Sequence, residues 1–279
     1  MLARLHPFVK PNKSRWPVEK PVEKTRLLML VCDPLTPKRA NDPEMETMKK
    51  YPEFIERYHE KVVKEIYTLK NQGARYVKAD DIVLDAGCGE KSFVKTWQPQ
   101  TKLTVGTDLW EESIQRNKTV DLRAVADLDY IPFLDEIFDV IICDSVMEHV
   151  NHPATIYEEF YRVLKKNGTL IVRTNSIYNP FMVINRILPI KVRNMIKDLF
   201  RIPYGATFPA PYRCNTLRKT HSLLTRIGFK KVSAWRFGAI LVRYGSPLYL
   251  FFLLYEKITD FKPLRGMKAE FEVCYTKED

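Results

Sequence analysis

The sequence predicts an α/β fold, a mostly parallel β-sheet covered by helices on both faces. From Asp81 onward, short apolar, β-branched runs alternate with amphipathic stretches, the pattern of parallel strands joined by crossover helices. The run Phe138-Asp139-Val140-Ile141-Ile142-Cys143 is apolar almost throughout, as a central strand shielded on both faces must be. Glycine adds a third observation: the 279 residues hold only 10, and two fall in one turn, Asp85-Ala86-Gly87-Cys88-Gly89.

Residues 1–45 read as an extended arm, since Pro7, Pro11, Pro17, Pro21, Pro34, Pro37 and Pro43 interrupt any helical period. A helix is predicted from Glu44 to Asn71, with Phe54, Tyr58, Val62, Val63, Ile66 and Leu69 at three- and four-residue spacing and Gly73 ending it. Ile82-Val83-Leu84 is the first strand, followed by the glycine turn and a helix from Lys91 to Trp97. Leu103-Thr104-Val105 is the second strand, running out at Gly106-Thr107-Asp108, and Leu122–Ala126 a short third. After the Phe138–Cys143 strand come a helix over Ala154–Leu164, a turn at Asn167-Gly168 and a strand over Thr169–Arg173. Thr216–Ile227 reads as a helix stopped by Gly228, Lys231–Phe237 and Phe271–Tyr275 as the last strands.

One domain over 46–279 accommodates this order, with a core at 80–175 and two insertions, 175–213 and 238–265. The first insertion carries Val192, Met195, Ile196, Leu199 and Phe200 on one helical face, with Lys191, Arg193, Lys197 and Arg201 largely elsewhere. The second holds the aromatic run Tyr249–Tyr255.

Composition narrows the function classes. A 45% hydrophobic content excludes disordered and collagen-like chains. The five cysteines are odd in number and lack a CxxC pair, which argues against a disulfide framework or structural zinc and suits a reducing, cytoplasmic setting. Leu248–Tyr255, the longest apolar run, is far short of the ~20 residues a membrane span needs. No apolar stretch near the start is long enough for a signal peptide, Leu27–Cys32 being six residues. A soluble chain is expected, at most peripheral to a membrane. The formal net charge of +11 suits anionic partners, whether nucleic acid, an acidic membrane surface or an anionic substrate.

The glycine turn follows a strand and precedes a helix, where backbone must approach a ligand closely. Asp108 stands 19 residues after Gly89, at the end of the next strand, where an acid can take both hydroxyls of an adenosine ribose. Asp127 follows the third strand, placed for the adenine amino group. Together they describe a nucleoside pocket at the carboxyl ends of three successive strands. A nicotinamide dinucleotide site would want Gly-x-Gly-x-x-Gly, but position 92 is Ser92.

The ordered segments Val83–Gly89, Val105–Asp108, Ala126-Asp127-Leu128, Phe138–Cys143, Val146-Met147-Glu148-His149-Val150 and Arg162–Leu170 resemble the successive motifs of class I S-adenosylmethionine-dependent methyltransferases. The likeness covers about residues 80–175, and more loosely Thr216–Lys277. It is closest to the branch with a Leu-Glu-His-Val-like sequence after strand four, which acts on quinones, lipids and small molecules. The resemblance implies a Rossmann-like seven-stranded sheet with an antiparallel last strand and helical cap insertions. It implies S-adenosylmethionine as cofactor, leaving S-adenosylhomocysteine, on Asp85, Gly87, Cys88, Gly89, Asp108, Leu109, Asp127, Leu128, Cys143 and Asp144. The family's third glycine is Lys91 here.

His149, just beyond the fourth strand, is the first candidate for general base; His152, Tyr178, Tyr212 and His221 are weaker ones. Some quinone O-methyltransferases of this branch hold a metal on Glu-x-x-Glu-His, but Ser145 replaces the first carboxylate, and no metal is assigned. Nucleic acid is disfavoured as acceptor, because Cys143-Asp144-Ser145-Val146 stands where base-amino methylation would want Asn/Asp-Pro-Pro-aromatic. The insertions leave the strand ends that face the cofactor, so they should cover an acceptor pocket. Their apolar, partly basic character points to a hydrophobic small molecule or lipid-like acceptor, methylated on oxygen, with peripheral contact to an anionic membrane. Tyr178, Tyr212 and Arg213 are the expected acceptor contacts. An RNA or other nucleic-acid methyltransferase and a methyltransferase-fold partner subunit without catalysis are the alternatives left open.

Overall fold

The computed structural model describes residues 52–70, 72–98, 100–179, 210–238 and 247–278, with 182, 183, 187–189, 191, 192 and 195 between them. The expected arm, the first residues of the helix predicted from Glu44, and most of the basic helix around Val192–Phe200 lie outside the described residues.

A seven-stranded sheet organises the fold. In chain order its strands are β1 (Ile82–Ala86), β2 (Leu103–Asp108), β3 (Leu122–Val125), β4 (Phe138–Asp144), β5 (Leu164–Asn175), β6 (Phe229–Phe237) and β7 (Glu270–Lys277). Their spatial order is β3-β2-β1-β4-β5-β7-β6. Neighbours from β3 through β5 are parallel, and β7 inserts antiparallel to both β5 and β6. The helices are α1 (Glu53–Lys70), α2 (Val94–Trp97), α3 (Glu111–Arg116), α4 (Pro153–Val163), α5 (Leu217–Ile227) and α6 (Pro247–Thr259). This is the predicted class, antiparallel last strand included.

Side chains alternate across the strands, and both faces are apolar. Leu84, Ile141, Leu170 and Val172 join Tyr157 and Phe160 of α4 and Leu224 of α5 in the larger core. Val83, Val140, Ile142 and Ile171 face the other way, towards Val77, Val94 and Trp97. Each central strand therefore reads as a continuous apolar run.

Two local predictions need correction. The helix expected from Lys91 begins at Val94. The Ser92 amide donates to Thr119 Oγ1 at 2.7 Å and Ser92 Oγ accepts from the Val94 amide at 3.2 Å, so side chains hold the chain out of helix until then. Asn167-Gly168 is a bulge inside β5, not a turn before it: Leu164 pairs with Phe138 and Thr169 with Val140. Asn167 takes the left-handed conformation, φ 61°, that such a kink needs. The second insertion carries a helix, as expected: α6, with its outer residues Leu250, Phe251, Leu254 and Ile258 exposed.

The inner side of α6 is anchored by charge. Lys268 Nζ donates to Glu256 Oε2 and Asp260 Oδ1, each at 2.7 Å. Burial pulls the lysine's pKa down, but the two acids outweigh it and hold the lysine protonated. The Glu256 carboxylate fills the space where a side chain at Gly238 would lie, 2.0 Å from a Cβ there. Among the described residues no helix is long and apolar enough to cross a membrane.

Candidate active site

The turn after β1 curls over the end of β2: the amides of Gly87 and Cys88 donate to Thr107 O at 2.7 and 3.0 Å. Gly87 and Gly89 adopt φ of 78° and 55°, the left-handed region that favours glycine. Their surroundings differ. A Cβ at Gly87 would strike Val146 Cγ2 at 2.4 Å, whereas one at Gly89 would meet nothing within 4 Å. Gly87 is thus a packing glycine, and Gly89 keeps open the space a ligand would use. Cys88 is buried, and burial drives its thiol well above the ordinary range, so it offers backbone rather than a reactive sulfur.

Asp108 closes the turn. Its Oδ2 accepts from the Gly89 amide and its Oδ1 from the Trp110 amide, both at 2.8 Å. Burial raises its pKa, against backbone N–H groups that lower it. Each oxygen keeps a lone pair for a further donor, so a ribose diol can be bound by a carboxylate already fixed in place. Leu109 is half-buried beside it. Beyond β3, Asp127 is exposed and accepts from the Asp129 amide at 3.1 Å, while Leu128 is buried. The open space at Gly89 and the free acceptor positions of Asp108 fit an adenosine.

At the end of β1, Asp85 is buried beside Ser92, Asp144 and Arg173, and burial, reinforced by Asp144, pushes its pKa to about 7. Asp144, expected at the cofactor, is held from β5: Arg173 Nε donates to its Oδ1 at 2.7 Å and a second guanidinium nitrogen to its Oδ2. Arg173 was missed in the sequence, although a charge inside Leu170-Ile171-Val172-Arg173 was the signal for it. Cys143 is fully buried in the larger core, leaving only its main chain to face a ligand.

The Asp85 shift has a testable sign. The folded state keeps this proton up to about pH 7, whereas the unfolded chain releases it near 3.8. Rising pH between those values therefore favours unfolding. Asp85→Asn is expected to melt higher than wild type at pH 8, and by a smaller margin at pH 5. The charged carboxylate is also what an amino-acid ammonium needs, so S-adenosylhomocysteine affinity should rise from pH 6 to 8 in wild type and stay flat and weak in Asp85→Asn. Differential scanning fluorimetry and titration at these pH values check both.

The segment after β4 is braced from β5. Glu148 is buried, and its carboxyl accepts from Thr174 Oγ1 at 2.5 Å and Asn175 Nδ2 at 2.6 Å. Asn215 Nδ2 in turn donates to Thr174 Oγ1 at 2.7 Å. The backbone carbonyl of Glu148 accepts from the Tyr212 amide at 3.3 Å, bringing Tyr212 beside the residue that precedes His149. Tyr212 has φ 50° and a buried hydroxyl without a partner among the described residues. A strained tyrosine with an unused hydroxyl marks a place where a ligand atom would be welcome. His149 is half-buried and Arg213 exposed. Tyr178 lies elsewhere, half-exposed on a separate cavity. The weaker candidates His152 and His221 are engaged with Asp129 at 2.9 Å and Tyr275 at 2.6 Å. Among the described residues no group of three His, Cys, Asp or Glu is placed to hold a metal ion.

Residues 84–172 match the family model of a methyltransferase domain. They carry a methyltransferase domain. An uncharacterized protein of Methanocaldococcus jannaschii, MJ0638, is 30% identical over 136 residues, 46% of this chain and 58% of that protein. A malonyl-[acyl-carrier protein] O-methyltransferase from Hamiltonella defensa is 26% identical over 95 residues, 33% of this chain and 37% of its own length. The chain thus spans little more than half of the first relative and less of the second. Among solved structures, a chain from the complex of the Haloferax volcanii Trm112 activator with a methyltransferase shares the fold, with a TM-score of 0.52 at 13% identity over 81% of this chain and 95% of that one. The methyltransferase core thus places Asp85, the glycine turn, Asp108, Asp127 and Asp144 along one edge, at the carboxyl ends of β1 to β4.

Proposed function

We propose that this chain transfers a methyl group from S-adenosylmethionine to an oxygen of a hydrophobic or lipid-like acceptor. The observation that carries the reading is Asp108, fixed by the amides of Gly89 and Trp110 at the rim of open space. The cofactor supplies an electrophilic sulfonium methyl when bound. The chain's own residues do the rest: Asp108 orients the ribose, Asp85 holds the amino group, and Asp127 faces the adenine.

His149 then takes the proton of the acceptor hydroxyl as oxygen attacks, and the Tyr212 hydroxyl supplies a hydrogen bond that fixes the acceptor. Glu148 is a positioning residue beneath both. Alignment of two reactants is the larger contribution to such a displacement, and proton removal adds about 10²–10⁴-fold. The O-methyltransferase among the relatives supports oxygen as the target. The exposed apolar side of α6 supports an acceptor met at a membrane surface or in apolar form.

The test is transfer of tritiated methyl from the cofactor into organic-phase and aqueous fractions of a cell extract. Label in the organic phase is expected, with His149→Ala lowering kcat by at least 100-fold and leaving S-adenosylhomocysteine affinity unchanged. Binding without transfer to any fraction would instead favour a non-catalytic partner, and label in nucleic acid would overturn the acceptor class.

A further inference from the structure

A second cavity lies beyond the ends of β5 and β6, beside the start of β7. It measures about 210 Å³ and its wall includes Ser176, Tyr178, Thr216, Arg218, Arg236 and Lys268. Three cations from three separate elements meet there. Lys268 is neutralised by Glu256 and Asp260. Among the described residues, the side chains of Arg218 and Arg236 make no hydrogen bond or ion pair.

Arg218 is also badly placed for the helix that carries it. It is the second residue of α5, and the first turn of that helix holds no acid. A helix N-terminus is the positive end of the dipole and disfavours cations. Arg236 stands at the penultimate position of β6, opposite Phe271, where no acid faces it in register. Two guanidinium groups are thus brought to one concave wall at electrostatic cost, with nothing in the described fold to balance them. Planar, paired donors of this kind suit an oxyanion.

We propose that this cavity is an anion subsite, which holds a phosphoryl or carboxyl group of the acceptor between Arg218 and Arg236. The site is joined to the proposed catalytic region through β5: Ser176 follows the strand, and Asn175, one residue earlier, donates to Glu148. Tyr255 of α6 donates to the carbonyl of Tyr178 at 2.9 Å, so the apolar helix is tied to a residue of the cavity wall. An amphiphile with an acidic head fits this arrangement. The role as acceptor subsite rests on the proposed methyltransferase function; the anion site does not.

The test uses the full chain and Arg218→Ala/Arg236→Ala. Both side chains are exposed, and circular dichroism checks that the variant folds. Inorganic phosphate is titrated calorimetrically at constant ionic strength, and S-adenosylhomocysteine separately. Wild type is expected to bind phosphate at least 10-fold more tightly than the variant, with equal affinity for S-adenosylhomocysteine. Equal phosphate binding by both proteins, or none by wild type, overturns the subsite. Absence of S-adenosylhomocysteine binding would instead overturn the cofactor reading and leave the phosphate result standing. Flotation with phosphatidylcholine vesicles, with and without phosphatidic acid, separates the sources. Arginine-dependent flotation only with phosphatidic acid identifies a lipid headgroup; phosphate binding without flotation identifies a soluble acidic acceptor.

Discussion

Asp108→Ala is expected to weaken S-adenosylhomocysteine binding by about 1–3 kcal/mol, roughly 5- to 150-fold, in a calorimetric titration. The loss has two parts. The ribose diol forfeits its acceptor, and the amides of Gly89 and Trp110, which donate to the carboxylate at 2.8 Å, lose the group that sets the turn. Asp108→Asn should lie between, because an amide keeps one acceptor oxygen but turns a donor towards one of those N–H groups. Melting temperature should change little in either variant, since burial disfavours this carboxylate. Unchanged affinity in Asp108→Ala would remove the ribose assignment.

Glu148→Ala should show the largest stability effect. Its carboxyl satisfies Thr174 and Asn175 in a buried setting, and truncation leaves a hydroxyl and an amide short of partners with a cavity beside them. A loss of about 2–4 kcal/mol follows, which lowers the melting temperature on the order of 5–10 °C in a domain of this size. Glu148→Gln keeps one acceptor but points an amide at the other donor, so it should fall between. Because Glu148 also carries the turn between β4 and His149, the Gln variant should lower kcat more than it changes S-adenosylhomocysteine affinity. A melting temperature within 2 °C of wild type for Glu148→Ala would contradict the bracing role.

The legible parts of this protein are those in which one short segment determines the geometry. Gly87, Gly89 and Asp108 could be read because a strand end, a left-handed turn and the next strand end follow within 19 residues of Gly89. The sheet could be read because each apolar run buries both faces. Contacts between distant segments were not legible. The pairs Arg173–Asp144 and Thr174–Glu148 are 29 and 26 residues apart, and nothing in either segment alone names the other. The late start of α2 depended on Thr119 reaching Ser92 from 27 residues away. Loop character alone places Tyr178 with Tyr212, yet β5 carries it to the Arg218–Arg236 cavity. His221 looked available for chemistry until the fold set it against Tyr275.

The most direct measurement is a crystal structure of the chain grown with S-adenosylhomocysteine. Density is expected along the carboxyl ends of β1 and β2, with the ribose hydroxyls on Asp108, the nucleoside passing over Gly89 and the amino group near Asp85. Density for the ligand at another place, or a well-ordered site in which Asp108 contacts only the Gly89 and Trp110 amides while the ligand saturates the protein in solution, would contradict it.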